Sequence, residues 1–193
     1  MSQAPKANIV DLLLLDHSYL KECIKVLKDE EEDKMEKLSY ARSFLDCLKK
    51  HAESEEKTVY NTLREIDDMR FTILEGEVEH GIADAKIRLL STTLQHARTL
   101  SEDTEVELKV LAEFIEHHLK EEEKELFPKM RKELDKNLLH ELGFQYLKVR
   151  NFTTKDLEDY PKLQEMVLEL GKGEHRLSPN LADKVEKYLD QKA

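Results

Sequence analysis

Three HxxxE pairs stand out among the side chains able to do chemistry: His51/Glu55, His117/Glu121 and His118/Glu122, the last two being one cluster in two frames. Two lone histidines complete the set, His17 before the first pair and His80 between the pairs. A residue and its fourth successor share one helix face, so each pair offers an imidazole and a carboxylate to the same region of space. That donor set suits first-row transition metals such as iron, manganese or zinc. Counting motifs decides little in a chain with eight histidines and abundant glutamate. Position decides more.

The elements that must carry these residues are helices. Apolar residues recur at steps of three and four in four runs. The first is Ile9, Leu13, His17, Leu20, Ile24, Leu27; the second is Phe44, Leu48, His51, Glu55, Val59, Thr62, Ile66. The third is Ile73, Gly76, His80, Ala83, Ile87, Leu90, Leu94; the fourth is Leu108, Leu111, Ile115, His118, Glu122, Leu126, Met130. Each run predicts one buried stripe containing a histidine. Glu55 and Glu122 fall inside these stripes, where a glutamate is costly unless paired or bound to metal. The bland alternative draws the stripes too wide and leaves both glutamates on the wet flank. The breaks have suitable chemistry: an acidic run from Asp29 to Asp33, an N-cap signal at Asp67-Asp68, and Ser101 followed by acids. The fold class expected is all-α, an up-down-up-down antiparallel four-helix bundle with additional C-terminal helices.

Helices rise evenly, so residues at one height in such a bundle lie symmetrically about each turn. Midpoints between His17, the His51/Glu55 pair, His80 and the His118/Glu122 pair fall beside Asp33, Asp67-Asp68 and Ser101. Those are the turns proposed on other grounds, so the six residues share one level. An internal repeat agrees. Residues 51–60, HAESEEKTVY, align without gaps to 118–127, HLKEEEKELF, matching Glu56 to Glu123 and Tyr60 to Phe127. Asp16-His17-Ser18 likewise resembles Glu79-His80-Gly81. Stripe and repeat both favour His118 over His117, which becomes a flanking group; Glu121 would replace Glu122 in the other frame.

Four imidazoles and two carboxylates are too many for one tetrahedral zinc. Shared between two ions, they give each ion two imidazoles while both carboxylates bridge. A bridging oxo or hydroxo group would hold the ions roughly 3.5–4 Å apart. Room would remain for a small ligand such as O₂, peroxide or NO.

Composition narrows the remaining classes. Charged residues are 38%, hydrophobic residues 39%, and only five Gly and four Pro occur, which argues against an all-β fold. A net charge of -11 disfavours nucleic acid and anionic lipid as partners. No apolar run approaches the roughly 20 residues of a membrane helix, and MSQAPKANIV lacks a signal-like apolar core. Cys23 and Cys47 make no disulfide framework and are expected in the core. A cytoplasmic location is the expectation. Residues 136–193 change pattern, with helical candidates around Leu138–Leu147, Pro161–Leu170 and Pro179–Leu189, and are expected to pack on the bundle as an extension of a 7–135 domain. The ExxH ending at His80, Glu77 to His80, reads as a solvated face, and His96, His140 and His175 as surface or tail residues.

The order of these motifs resembles the hemerythrin-like HHE cation-binding domains: one His on the first and third helices, HxxxE on the second and fourth. It is met by His17, His51/Glu55, His80 and His118/Glu122, and by the flank Glu121 to Pro128, over about residues 7–135. The resemblance implies a four-helix bundle holding a non-haem centre of two iron ions. Oxygen-carrying hemerythrins have a fifth histidine four residues from another on helix three; Gly76 and Asp84 stand there, against reversible O₂ carriage. The Cys-bearing N-terminal extension of iron-cluster repair relatives is not seen in this sequence. Two function classes emerge: a di-iron protein that binds or reacts with a small oxidant as sensor or scavenger, or an iron-handling or signalling module acting through a protein partner at residues 136–193. A purely structural bundle is the remaining possibility.

Overall fold

The structure, a computed structural model, describes residues 8–150. Among the described residues every regular element is helical. Helix α1 is Ile9–Lys28; α2 spans residues 34–63 as Lys34–Glu55, a π turn Glu56–Tyr60 and Asn61–Leu63; α3 is Asp67–Leu94. Helix α4 spans residues 102–133, with a π turn Glu122–Leu126 between Glu102–Glu121 and Phe127–Glu133, and α5 is Lys136–Arg150. The expected helices at Pro161–Leu170 and Pro179–Leu189 lie outside the described residues.

Local chemistry sets the helix starts. Asn8 Oδ1 accepts from Val10 N at 3.0 Å, Asp33 Oδ1 from Met35 N at 2.8 Å, and Ser101 Oγ from Thr104 N at 3.3 Å. Asp67 and Asp68 do not cap α3 as expected. Ile66 holds the cap position, and the two aspartates occupy the first turn, where the exposed N–H groups favour negative charge.

Helix α1 packs against α2 and α4, and α3 closes the ring by packing against the same two. Helix α5 lies against α1 and α2. Two apolar clusters fill the interior. One gathers Leu13, Val59, Leu63, Ile73, Leu126 and Tyr146; the other gathers Leu20, Phe44, Leu48, Ala83, Ile87 and Ile115. The four histidines sit between them. In α1 and α3 the first cluster precedes the histidine and the second comes after it; in α2 and α4 the order is reversed. The layer is therefore dry on both sides.

The π turns correct one stripe. Thr62, expected inside, is exposed, while Leu63 is fully buried. Each π turn adds a residue to one helical turn and rotates everything after it by about one position. Both turns fall at the end of an HxxxE pair, one beginning just after Glu55 and the other at Glu122, one residue apart in the repeat.

Candidate metal centre

All six predicted residues are brought together. His17, His51 and Glu55 are fully buried; His80 and His118 are 1% exposed and Glu122 3%. Their donor atoms form two groups within ligating reach of one ion each: His17, His51 and Glu122 in one, His80, His118 and Glu55 in the other. Each carboxylate also touches the other group. Glu122 Oε2 lies 3.3 Å from His17 Nε2 and 3.5 Å from His118 Nε2. Glu55 Oε2 lies 3.4 Å from His51 Nε2 and 3.9 Å from His80 Nε2. The set is two pairs of imidazoles with two carboxylates placed between them.

The Nδ1 atoms face outward, each held by an oxygen. His17 Nδ1 is 3.0 Å from Glu123 Oε1, His80 Nδ1 3.1 Å from Glu56 Oε1, and His118 Nδ1 2.7 Å from Glu79 Oε2. His51 Nδ1 is 3.2 Å from Tyr146 Oη, whose own proton goes to Asp16 Oδ2 at 2.5 Å. A carboxylate can only accept, and so can a phenol that has given its proton away. In the neutral imidazole every Nδ1 therefore carries the hydrogen, which leaves Nε2 to offer its lone pair to an ion at the centre. This is the outer support found around metal-bound histidines.

The repeat explains the pattern. The acid before the lone histidine (Asp16, Glu79) supports the histidine of the next HxxxE helix, and the acid after each HxxxE glutamate (Glu56, Glu123) supports a lone histidine. Two features break the symmetry. Tyr60 donates to Glu122 Oε1 at 2.8 Å and stacks on His80, whereas its repeat partner Phe127 packs on His17 with no hydroxyl for Glu55. On the other side α5 supplies Tyr146 and Arg150, whose Nε reaches Asp16 Oδ2 at 3.1 Å.

The centre demands positive charge. Asp16, Glu55, Glu56, Glu79, Glu122 and Glu123 surround it, against Lys21 and Arg150. Burial disfavours a charged imidazole, yet Asp16 and Glu55 push the His51 pKa up to about 10. His118 is likewise raised, to about 8, Glu122 and Glu79 outweighing burial. Burial would raise Asp16 and Glu122, but Arg150 and His51 hold the first low and His118 and His17 the second. Burial and Glu122 raise Tyr60 well above a normal phenol, so it keeps its proton.

A metal fits this donor set on the atoms themselves. His17 Nε2, His51 Nε2, both oxygens of Glu55 and Glu122 Oε2 are buried without a hydrogen-bond partner. Each such atom costs about 1–3 kcal/mol unless something binds it. His80 Nε2 and His118 Nε2 face each other at 3.1 Å, so two lone pairs need a proton or cation between them. Two nitrogens each about 2.1 Å from an ion, at right angles, stand about 3.0 Å apart.

The remaining expectations divide. His117 is outside, its side chain 67% exposed and 3.3 Å from Glu121, so the repeat frame holds His118 in the layer. Glu77 pairs with Arg64 at 2.9 Å, His96 is exposed, His140 is half-buried, and Cys23 and Cys47 are buried thiols. Sequence reasoning misses the supporting acids and Tyr60 as functional groups, although the repeat aligns Glu56 with Glu123. Tyr146 and Arg150 give no local signal. Over Gly76, a Cβ would overlap the Tyr60 phenol, so the missing histidine and the inward tyrosine occupy one space. A cavity of about 20 Å³, lined by Tyr60, Gly76, Glu79, His118 and Glu122, adjoins the centre there.

No helix among the described residues is long and apolar enough to cross a membrane. Neither a curated protein nor a solved structure matches the chain. A family model does, over residues 8–130, and with it the chain belongs to the hemerythrin HHE cation-binding domain family.

Proposed function

We propose that this chain is a non-haem di-iron protein that binds or reacts with a small oxidant (O₂, peroxide or NO) as a cytoplasmic sensor or scavenger. His17, His51 and Glu122 would hold one iron and His80, His118 and Glu55 the other, with one oxygen of each carboxylate lying near an imidazole of both groups. The single observation that carries this reading is the inward set of buried, unpartnered Nε2 and carboxylate atoms, with every Nδ1 anchored from outside. The alternating order of the two apolar clusters along α1 to α4 supports an up-down-up-down antiparallel bundle, on which α5 packs through α1 and α2.

Bound iron would supply the electrons exchanged with the oxidant. The chain does the rest. The two apolar clusters keep bulk water from the layer. A cavity of about 20 Å³, roughly the size of one water, adjoins the centre beside Tyr60 and Glu122. Tyr60 holds a proton at Oη beside that cavity, 2.8 Å from Glu122 Oε1, and fixes the orientation of that carboxylate.

One observation favours a second reading. The contacts from His51 through Tyr146 to Asp16 and Arg150 tie the centre to α5, as an iron-handling or signalling module acting through a partner at residues 136–193 would require. Rapid mixing of the reduced, iron-loaded protein with O₂, peroxide and NO separates the readings. Turnover supports a scavenger, a stable adduct a sensor. Inertness to all three would overturn the oxidant reading.

A further inference from the structure

Helix α3 has a second apolar stripe, facing away from the core. Phe71 (77% exposed), Leu74, Val78 (64%), Ile82 (51%) and Leu89 (53%) lie opposite the buried Ile73, Gly76, His80, Ala83 and Ile87. A surface helix ordinarily has one apolar stripe; a helix with two has a second neighbour. Between these residues sit the exposed Gly81 and Ala85, and a methyl group on Gly81 would meet nothing within 4 Å.

We infer that this face is the interface of a twofold homodimer in which α3 packs antiparallel against α3 of a second copy. An interface between identical copies must be complementary to itself about the axis. The stripe is. About position 80, Phe71 mirrors Leu89, Val78 mirrors Ile82, and Glu75 mirrors Ala85, while the small Gly81 and Ala85 let the two backbones approach near the crossing. The charges agree. Glu75 and Lys86 lie on the same flank of the stripe, eleven residues and about 16 Å apart along one helix, too far to pair within a chain. Antiparallel packing sets Glu75 of one copy beside Lys86 of the other, twice. Lys86 reaches Glu107 of its own chain at 3.2 Å and, 45% exposed, can turn to either acid.

The size sets the strength. The stripe alone falls short of the roughly 800 Å² per partner of a stable dimer. Val106 (60% exposed) and Val110 (58%) on the neighbouring α4 widen it toward that figure. A reversible dimer is the consequence.

Sedimentation equilibrium of the full chain, from submicromolar to several hundred micromolar, tests this. The mass should move from 22.7 kDa to twice that. Ile82→Glu should weaken the dimer by at least about a hundredfold, because symmetry buries the new carboxylate twice, with helicity and melting unchanged. Glu75→Lys should weaken it, and Glu75→Lys with Lys86→Glu should restore it. Phe71→Cys mixed with Leu89→Cys should cross-link, while neither should cross-link with itself. A monomer at every concentration would overturn the proposal, as would a dimer indifferent to Ile82→Glu. So would a monomer that associates only after residues 151–193 are removed, since those residues would then be the cover.

Discussion

Replacing His118 and His117 by alanine, one at a time, tests the frame on which the centre rests. His117 is 67% exposed, and its contact is Glu121 at 3.3 Å, one turn along the same helix. An exposed pair of that kind contributes about 0.3–0.5 kcal/mol. At this chain length its loss moves the melting midpoint by about 1–2 °C, and iron content should stay at the wild-type value. His118 is 1% exposed and supplies one of three donors to the group with His80 and Glu55. Its removal leaves two donors there and strips Glu79 of its imidazole partner at 2.7 Å. Iron should fall from two ions per chain to one. The metal-free variant loses about 2 kcal/mol or more from the buried gap, partly offset because the lone pair facing His80 Nε2 at 3.1 Å is gone. The assay is elemental analysis after anaerobic loading and desalting, with thermal melts tracked by circular dichroism. His117→Ala losing an ion while His118→Ala keeps both would refute the frame and move Glu121 into the site.

Glu79→Gln and Glu123→Gln keep the shape but weaken the acceptors of His118 and His17; iron affinity in a chelator competition should fall about 10–100-fold with helicity intact. Gly76→Ala should cost about 1–3 kcal/mol by colliding with the Tyr60 ring, and Tyr60→Phe in the same chain should recover part of it; a neutral Gly76→Ala would mean the phenol is not held there. Metal-free protein should stay helical, because both apolar clusters persist, but melt lower. Iron at about a hundred times its dissociation constant adds about 2.7 kcal/mol per site, so equal midpoints would contradict a buried centre. Acid should release the metal and erase that gain as protons take the four Nε2 positions, whereas a midpoint gain independent of pH would place the ions elsewhere.

Much of the fold is legible in the chain because helical spacing is a local rule. The stripes through His17, His51, His80 and His118 need only steps of three and four, and the shared level of the six residues needs only even helix rise. The π turns are not legible. They leave the composition of the stripe intact and shift only the residues downstream, so Leu63 lies where the even spacing expects Thr62. The supporting acids are half legible. Glu56 and Glu123 are matched by the repeat, but acids on a charged surface carry no mark of the imidazole they touch on another helix. Tyr146 and Arg150 reach Asp16 from more than a hundred residues away, and nothing local in the sequence records that.

Anaerobic titration of metal-free protein with ferrous iron, measuring bound metal per chain, tests most directly whether the six residues hold two ions. Saturation at two equivalents is expected, with the melting midpoint rising to the same end point. Saturation at one equivalent, or uptake of zinc with no affinity for iron, would contradict a centre of two irons.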